Sequence, residues 1–415
     1  MNVCLITVDC LRRDFLTDEY ADTPFLNRFA AEGEFFTEMC STTSTTTPSV
    51  ASYFTGRYSE NNGVNTHHNV RIRDDIKTLA ERFSEAGFHT YAMSTGPLIE
   101  ETDLDRGFDK YWYRERNQNL TNDWKSEALD KRDSLEEPFF LYLHLWELHG
   151  PIDVPDEFDS EKYGDFQSPR LQKYTRALSA LDRELEEFIG GFPNQTAVGL
   201  HGDHGEQLSG VDQRHHDMLV NIRDIARYRL QLDLRPLERV INRFVDYFID
   251  IPFRDQYIEE THGHTVYDSE INVPFILRTP GESGDVYSEQ CRQIDIYPTL
   301  LELANIGYSE DLDGKTLLNE DGIVSRKAYI RACGPPHELG QSVMRSVRQN
   351  GYKYIEYPER DWSPDLYDLS EDPNELNPIS DDEIQAKLER EMPTQELRET
   401  DELEIDGLLK DLGYL

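Results

Sequence analysis

The chain has 415 residues, enough for one large α/β domain with an appendage or for two to three smaller domains. Its 81 Asp and Glu residues outnumber 42 Lys and Arg residues, and the resulting formal net charge of −39 repels nucleic acid and anionic membranes. We therefore expect no nucleic-acid partner. The acidic residues are spread over the whole chain, so we interpret them as a solvated surface suited to high salt, and halophily is a hypothesis about the host.

Five cysteines are scattered along the chain without a Cys-x-x-Cys pair: Cys4, Cys10, Cys40, Cys291 and Cys333. An odd, scattered set argues against a disulfide framework and against a zinc knuckle. The opening segment carries no charged leader and is too short to span a membrane. The sequence therefore predicts a cytoplasmic protein without a membrane span.

A run of hydroxyl residues at 41–47 leads into Pro48 and an apolar segment at 50–54. Proline suits the first turn of a helix, where its missing N–H costs nothing, and Thr46 or Thr47 is predicted to cap the free amides. The positive end of a helix attracts anions, so a hydroxyl there is a candidate nucleophile for a phosphorus or sulfur ester. Taken alone, the stretch is more typical of an ordinary helix cap.

Apolar runs rich in β-branched and aromatic residues alternate with amphipathic segments over much of the chain. Strands are predicted at residues 3–8, 88–93, 138–146, 196–200 and 273–277, and helices at 23–31, 78–87, 171–189 and 295–304. Continuous apolar strands are typical of a parallel sheet that is buried on both faces. The sequence therefore predicts an α/β fold with a large, mostly parallel sheet flanked by helices.

The later part of the chain contains three segments that differ in composition and predicted structure. Residues 212–260 are polar and helical, and we interpret them as an insertion near the mouth of a site. Short strands separated by turns predict a small antiparallel C-terminal subdomain at residues 325–375. An acidic tail with a short C-terminal helix is predicted at residues 376–415.

Side chains that suit a metal ion follow two of the predicted strands. Asp9 ends the first strand, and Asp203 and His204 follow the strand at 196–200. Because ligands gather at the carboxyl ends of strands in open parallel sheets, we expect these side chains to share one pocket. Carboxylate and imidazole are hard or borderline ligands, so the sequence predicts a divalent metal site there.

Four further histidines are candidates for the same pocket. His144 and His149 flank the end of the strand at 138–146, and His262 and His264 lie shortly before another strand. Each of them alone is more often structural. Several strand ends that each present Asp or His nevertheless favour a common site at the carboxyl edge of the sheet.

These segments, in this order over nearly the full length, resemble the sulfatase family within the alkaline phosphatase superfamily. Segment 8–14 resembles the family's first metal-binding strand, 46–57 its nucleophile signature and 203–206 its second metal segment. The later segments that continue the resemblance are 273–281, 295–301, 313–317 and 366–373. The resemblance implies an alkaline-phosphatase-like sandwich, with the catalytic domain at residues 1–324.

The chain departs from the family at several of these positions. The family's nucleophile is a Cys or Ser that is oxidised to formylglycine, and Thr46 holds that place here. Oxidation of a secondary alcohol gives a ketone, so the family's aldehyde hydrate is not expected. Val50 replaces the signature Arg, Cys10 replaces the usual second Asp, and residues 94–97 lack the expected Lys. Superfamily relatives with a Thr nucleophile act on phosphate esters and diesters or transfer phospho-alcohol groups.

The resemblance implies a metal-dependent hydrolase of a sulfuric or phosphoric ester. Asp9, Asp203 and His204 would hold a divalent ion that lowers the pKa of Thr46, itself a metal ligand, for attack on the ester. The resemblance decides neither whether one ion or two are bound nor whether the metal is Mn, Ca, Mg or Zn. The substrate is expected to be a small-molecule ester or an ester of a glycan or lipid head group, and the oligomeric state is left open.

Three histidines have catalytic roles in this hypothesis. His149, His262 or His264 would bind the non-bridging oxygens, ligate a second metal or protonate the leaving group. Arg12 and Arg57 are interpreted as structural ion-pair residues. Two alternatives are a phospho-alcohol group transferase and a non-catalytic binding protein that retains the sulfatase fold; the missing Arg and Lys favour the second, and intact buried ligands oppose it.

Overall fold

In the computed structural model, the protein is described at residues 1–16, 20–66, 71–94, 102–115, 118–150, 152–166, 168–208, 232–237, 239–240, 255, 262–282, 284–308, 311–318, 323–332, 344–358 and 360–393. Most of the insertion predicted at 212–260, the end of the predicted tail and Cys333 lie outside these ranges. No helix within them is long and apolar enough to cross a membrane.

A large sheet of nine strands lies at the centre of the described residues. Its strands are β1 (Asn2–Val8), β2 (Glu34–Cys40), β3 (His89–Ser94), β4 (Lys110–Tyr113), β5 (Phe139–Leu145), β6 (Thr196–Gly202), β7 (Asn272–Arg278), β8 (Val286–Tyr287) and β9 (Cys291–Arg292). The order is β4-β3-β5-β1-β6-β7-β2-β8, and β9 pairs with β2. All neighbours are parallel except β7, which runs antiparallel to both β6 and β2, so the prediction of a mostly parallel sheet is confirmed.

Helices cover both faces of this sheet. The helices among the described residues are α1 (Pro24–Glu32), α2 (Thr46–Thr55), α3 (Ser59–Asn62), α4 (Leu79–Glu85), α5 (Lys125–Asp133), α6 (Pro169–Gly190), α7 (Asp268–Ile271), α8 (Ile296–Leu303) and α9 (Asp382–Glu389). Helix α9 does not pack against this sheet but against the C-terminal sheet described below. One apolar core contains Phe29 of α1 and Leu181 of α6, and the other contains Tyr53 of α2, Phe83 of α4 and Leu300 of α8. Strands β1, β5 and β6 are buried at every position because both of their faces pack against these cores.

The start of α2 differs from its prediction. Thr45 is the N-cap residue and its side chain makes no capping hydrogen bond, so the predicted cap at Thr46 or Thr47 is wrong. Thr46 is the first residue of the helix, and Pro48 lies in the first turn as predicted. The Thr46 side chain is oriented towards Asp9 and His204 instead of the helix amides.

A second, antiparallel sheet of four strands lies in the C-terminal part, as predicted. It contains β10 (Ala328–Ala332), β11 (Met344–Gln349), β12 (Tyr352–Glu356) and β13 (Asp365–Asp368), paired in that order. The Arg331 N–H donates to the Thr42 carbonyl at 3.1 Å, which places this sheet against the hydroxyl run. Lys353 is fully buried and forms ion pairs with Asp268 and, at 2.8 Å, with Glu375. The two sheets thus share a buried network of charges.

Candidate active site

The carboxyl ends of β1 and β6 and the start of α2 meet at one point. β1 and β6 are neighbours with Val8 paired to Gly202, so Asp9 and Asp203 leave the sheet side by side. The side chains of Asp9, Asp203 and His204 are all fully buried, and Thr46 is 1% exposed. The structure therefore brings together the four residues that the sequence proposed as metal ligands.

The Thr46 hydroxyl lies between an imidazole and a carboxylate. Its Oγ1 is 3.2 Å from His204 Nε2 and 3.4 Å from Asp9 Oδ2. The other ring nitrogen of His204, Nδ1, is 2.8 Å from the carbonyl oxygen of Gly205 and must donate to it. Nε2 of the neutral ring consequently carries the lone pair, so the hydroxyl proton of Thr46 has two acceptors.

Asp203 has one satisfied oxygen and one that lacks a protein donor. Its Oδ1 accepts hydrogen bonds from the backbone N–H groups of Cys10, at 3.2 Å, and His204, at 2.8 Å. Its Oδ2 is buried and has no hydrogen-bond partner among the described residues. Since a buried carboxylate oxygen without a partner is costly, this atom fits a cation ligand better than a structural acceptor.

His144 extends this ligand set. Both of its ring nitrogens are buried without a hydrogen-bond partner in the described part of the chain. A ligand atom of His144 lies within 4.8 Å of those of Asp9 and Asp203. Burial, followed by the nearby charge of Arg114, lowers the pKa of His144 well below its ordinary value, so the ring is neutral and able to ligate.

Burial and mutual repulsion also change the acidity of the central groups. Burial, and then the Asp203 carboxylate, raises the pKa of Asp9. Burial disfavours the charged form of His204, but the carboxylates of Asp203 and Asp9 outweigh it and raise the pKa of His204. Both shifts favour the protonated forms in the metal-free site, and a divalent cation would displace these protons and stabilise the carboxylate and the neutral imidazole.

A second set of side chains borders the first. Cys10 Sγ is 3.1 Å from Asp9 Oδ1 and 3.2 Å from Glu206 Oε2, and Glu206 Oε2 is 3.0 Å from His262 Nδ1. Arg170 pairs with the other oxygen of Glu206 at 2.7 Å. Neither Glu206 nor Arg170 was predicted to be a site residue. The signal for Glu206 was its position three residues after Asp203 in a segment already recognised as metal-binding.

The three predicted catalytic histidines, His149, His262 and His264, have different surroundings. The ring of His262 lies with its centroid 4.4 Å from that of His204 and 5.1 Å from that of His149. Burial, followed by the neighbouring charge of His262, lowers the pKa of His149 to about 3, so its ring is neutral. His149 Nδ1 donates to the Gly150 carbonyl at 2.9 Å, which leaves Nε2 as an acceptor. His264 belongs to neither ligand group found among the described residues.

A buried ion pair supports the segment that carries these histidines. The side chains of Arg114 and Glu147 are 1% and 2% exposed, and Arg114 Nη1 is 3.3 Å from Glu147 Oε1. Arg114 also donates to the His144 carbonyl at 3.0 Å, and Glu147 accepts from the Trp146 N–H at 2.7 Å. This pair was not predicted to have a role, and it fixes the backbone between His144 and His149.

The structure shows the surroundings of Val50, which replaces the family's arginine, and of Arg12, which the sequence analysis interpreted as structural. Val50 is fully buried in the apolar core, so that position supplies no charge to an ester. Arg12 pairs with Asp14 at 2.7 Å and with Asp255, and it donates to the Glu206 carbonyl at 2.8 Å, as a structural ion-pair residue would. Residues 95–97, where the expected Lys is missing, lie outside the described ranges.

Comparisons with known proteins find relatives over the full length of the chain. The chain is 24% identical to an arylsulfatase of Clostridium perfringens over 493 residues, covering 100% of this chain and 98% of that protein. The structure of a phosphonate monoester hydrolase of Agrobacterium radiobacter superimposes with a TM-score of 0.70 at 16% identity and covers 94% of each chain. A Bacteroides thetaiotaomicron structure described for the metabolism of multiple glycosaminoglycans has a TM-score of 0.68 at 17% identity, with 94% of each chain covered.

Family models cover nearly all of the described chain. The sulfatase model matches residues 1–306, and a model of the C-terminal part of N-sulphoglucosamine sulphohydrolase matches residues 262–402. The solved structures share the fold of this chain, with its large mostly parallel sheet and its small antiparallel C-terminal sheet. Members of the matched family depend on a metal ion, and ligand groups for one are present here. The chain therefore belongs to the sulfatase family and is an ester hydrolase.

Proposed function

We propose that this protein hydrolyses a sulfuric or phosphoric ester with Thr46 as the nucleophile, next to a divalent cation held by Asp9, Asp203 and His204. The observation that carries the proposal is the position of the Thr46 hydroxyl, 3.2 Å from His204 Nε2 and 3.4 Å from Asp9 Oδ2. An ordinary capping threonine would bond helix amides, and this one does not.

The ligand set supports a cation at this point. Asp203 Oδ2 and both ring nitrogens of His144 are buried without a protein hydrogen bond among the described residues, and Asp9 completes the same group. Carboxylate and imidazole together accept Mn, Mg, Ca or Zn. When bound, such an ion lowers the pKa of a neighbouring hydroxyl and offsets the negative charge of the ester.

The proposed reaction has two steps, the formation of a covalent intermediate on Thr46 and its hydrolysis. Thr46 Oγ1 loses its proton and forms a bond to the sulfur or phosphorus of the ester, while the bond to the leaving alcohol breaks and that oxygen takes up a proton. The start of α2 places the positive end of the helix dipole beside the developing negative charge. A water molecule then attacks the covalent intermediate, releases the inorganic anion and regenerates the Thr46 hydroxyl.

His149 is suited to the second step. Its ring is neutral, and Nδ1 is fixed as a donor to the Gly150 carbonyl, so Nε2 can accept a hydrogen bond from the attacking water and orient it. A histidine whose pKa lies at about 3 does not hold a proton for the leaving alcohol at neutral pH, and it is also a weak base. This favours His149 as a residue that orients the water over the earlier possibility that it is an acid.

The side chain at the nucleophile position favours a phosphoric ester as the substrate. A threonine does not yield the aldehyde that the family uses, and the apolar Val50 supplies no cation where the family has an arginine. The relatives include both an arylsulfatase and a structure of a phosphonate monoester hydrolase, so both ester classes belong in the test.

The test is hydrolysis of an aryl sulfate, an aryl phosphate, an aryl phosphodiester and an aryl phosphonate in high salt, with the metal content measured on the same samples. Thr46→Ala is expected to bind metal and to lose turnover. Ser52→Ala is the matched control, because its buried hydroxyl bonds the Pro48 carbonyl within the same helix. Equal turnover by wild type and Thr46→Ala would overturn the proposal, and so would a metal-free protein that remains fully active.

A further inference from the structure

We propose that Cys10, Glu206 and His262 form a second cation site, of the kind that zinc prefers, next to the site at Asp9. The proposal rests on the metal centre of the proposed function but makes no use of the nucleophile. It reverses the sequence interpretation of Cys10, which treated this residue as a lost ligand.

The three donor atoms already converge. Cys10 Sγ is 3.2 Å from Glu206 Oε2 and 3.7 Å from His262 Nδ1, and Glu206 Oε2 is 3.0 Å from His262 Nδ1. A nitrogen of His204 lies within 4.8 Å of the ligand atoms of Cys10 and His262. This group contains none of the atoms of the Asp9, His144 and Asp203 group, so the two groups define two adjacent positions.

The backbone of Cys10 is held in an unusual conformation that aims its thiol at this position. Its φ is +63°, in the left-handed region that is unfavourable for a residue with a side chain. The Cys10 N–H donates to Asp203 Oδ1 at 3.2 Å, and its carbonyl accepts from the Tyr174 hydroxyl at 2.8 Å. Strain that is fixed by hydrogen bonds on both sides of a residue is a feature of binding and catalytic sites.

The buried carboxylates set the charge that a second ion would meet. Asp9, Asp203 and Glu206 are each at most 1% exposed. Among the described ion pairs, Arg170 and His262 face Glu206, whereas Asp9 and Asp203 face His204. One divalent ion balances Asp9 and Asp203, and Arg170 balances Glu206, so the charge of a second divalent ion would be balanced by the Cys10 thiolate and by an anionic ester.

The donor types select the metal. A thiolate, an imidazole and a carboxylate are three ligands of the kind found in catalytic zinc sites, which leave a fourth position open for water or substrate. Calcium and magnesium prefer oxygen ligands alone, so they would fill this position poorly. The proposed occupant is therefore zinc, and cobalt is its spectroscopic substitute.

The test is a titration of the chelator-treated full chain with cobalt(II) in high salt, with bound ions counted and the thiolate-to-cobalt charge-transfer band in the near ultraviolet recorded. Wild type is expected to bind two ions and to show the band. Cys10→Ser is expected to bind one ion without the band. Cys4→Ala is the matched control, because Cys4 is an equally buried cysteine in β1, and it should behave as wild type.

Two further variants keep the result interpretable. His262→Gln should also lose one ion, which shows that a Cys10 effect does not come from misfolding of β1. Thr46→Ala should keep both ions and the band, so failure of the nucleophile assignment and failure of this proposal give different results. One ion in wild type, a band that survives in Cys10→Ser, or two ions in His262→Gln would each overturn the second site.

Discussion

Replacement of Arg114 by Met is expected to destabilise the protein by about 3 kcal/mol, the lower end of the cost of breaking a buried ion pair. The Arg114 and Glu147 side chains are 1% and 2% exposed, so the change leaves the Glu147 carboxylate buried without its cation. Glu147 keeps hydrogen bonds from the N–H groups of Leu120, at 2.6 Å, and Trp146, at 2.7 Å, which is why we expect the lower end.

Loss of Arg114 should also reduce activity without any contact to substrate. Its guanidinium donates to the His144 carbonyl at 3.0 Å, and its partner Glu147 accepts from the Trp146 N–H. We therefore expect both His144 and His149 to shift. A misplacement of about 1 Å costs on the order of a hundredfold in rate. The assay is urea denaturation followed by tryptophan fluorescence, together with kcat/KM on the best aryl ester.

The reasoning is checked with a double variant and a surface control. Arg114→Met combined with Glu147→Gln removes the unpaired charge and should recover roughly 1 kcal/mol or more relative to the sum of the single changes. Arg73→Met, at a pair with Asp75 whose side chains are 30% and 65% exposed, should cost less than about 1 kcal/mol. If Arg114→Met costs no more than Arg73→Met, the buried pair does not support the site as described.

Three other predictions concern the metal, the backbone and salt. Burial and Asp203 raise the folded-state pKa of Asp9 from 3.8 to about 8, so the stability that its proton contributes is lost as the pH rises. Burial lowers the pKa values of His144 and His149, and these rings contribute in the opposite direction only below about pH 6.5. The metal-free protein should therefore lose stability as pH rises from about 6.5 to 8, and metal affinity should rise over the same range; thermal denaturation with chelator and with metal measures both, and a flat profile would contradict the assignment. Gly205→Ala places a Cβ 2.1 Å from the Ser269 carbonyl oxygen and should cost about 1–3 kcal/mol and weaken metal binding, whereas Gly190→Ala, which meets nothing within 4 Å, should do neither. The net charge of −39 predicts a lower Tm in dilute than in molar salt, and an unchanged Tm would refute halophily.

The centre of the site was predictable because it depends on local patterns. Asp9 and Asp203 each follow a continuous apolar strand, and in a parallel sheet the carboxyl ends of such strands reach the same edge whatever their order. The sequence did not show that β1 and β6 are direct neighbours. The site prediction did not need that information.

Other elements had weaker signals. Strand β2 mixes half-buried and buried positions, and its sequence suggested little beyond an aromatic pair before the hydroxyl run. Its partner β7 runs antiparallel, and no local pattern distinguishes that direction from a parallel one. Strand β13 is four residues long, too short for a periodic pattern to be recognised.

The main feature that the sequence analysis did not predict is the pairing of charged side chains from distant segments. Arg170 meets Glu206 across 36 residues, and Arg114 meets Glu147 across 33. In a chain in which 30% of residues are charged, no single Arg or Glu stands out, and only the fold selects the buried ones. The place of Cys10 in the site was not predictable for a related reason, since its left-handed backbone has no counterpart in the sequence.

The most direct test of the account is to identify the residue that carries the covalent intermediate. An aryl phosphodiester or sulfate is mixed with the metal-loaded enzyme, quenched in acid within one turnover, digested and analysed by mass spectrometry. His149→Ala should accumulate the adduct, because the residue that orients the attacking water is missing. The account predicts a phosphoryl or sulfuryl group on Thr46; an adduct on another residue, or turnover by Thr46→Ala at the wild-type rate, would contradict it.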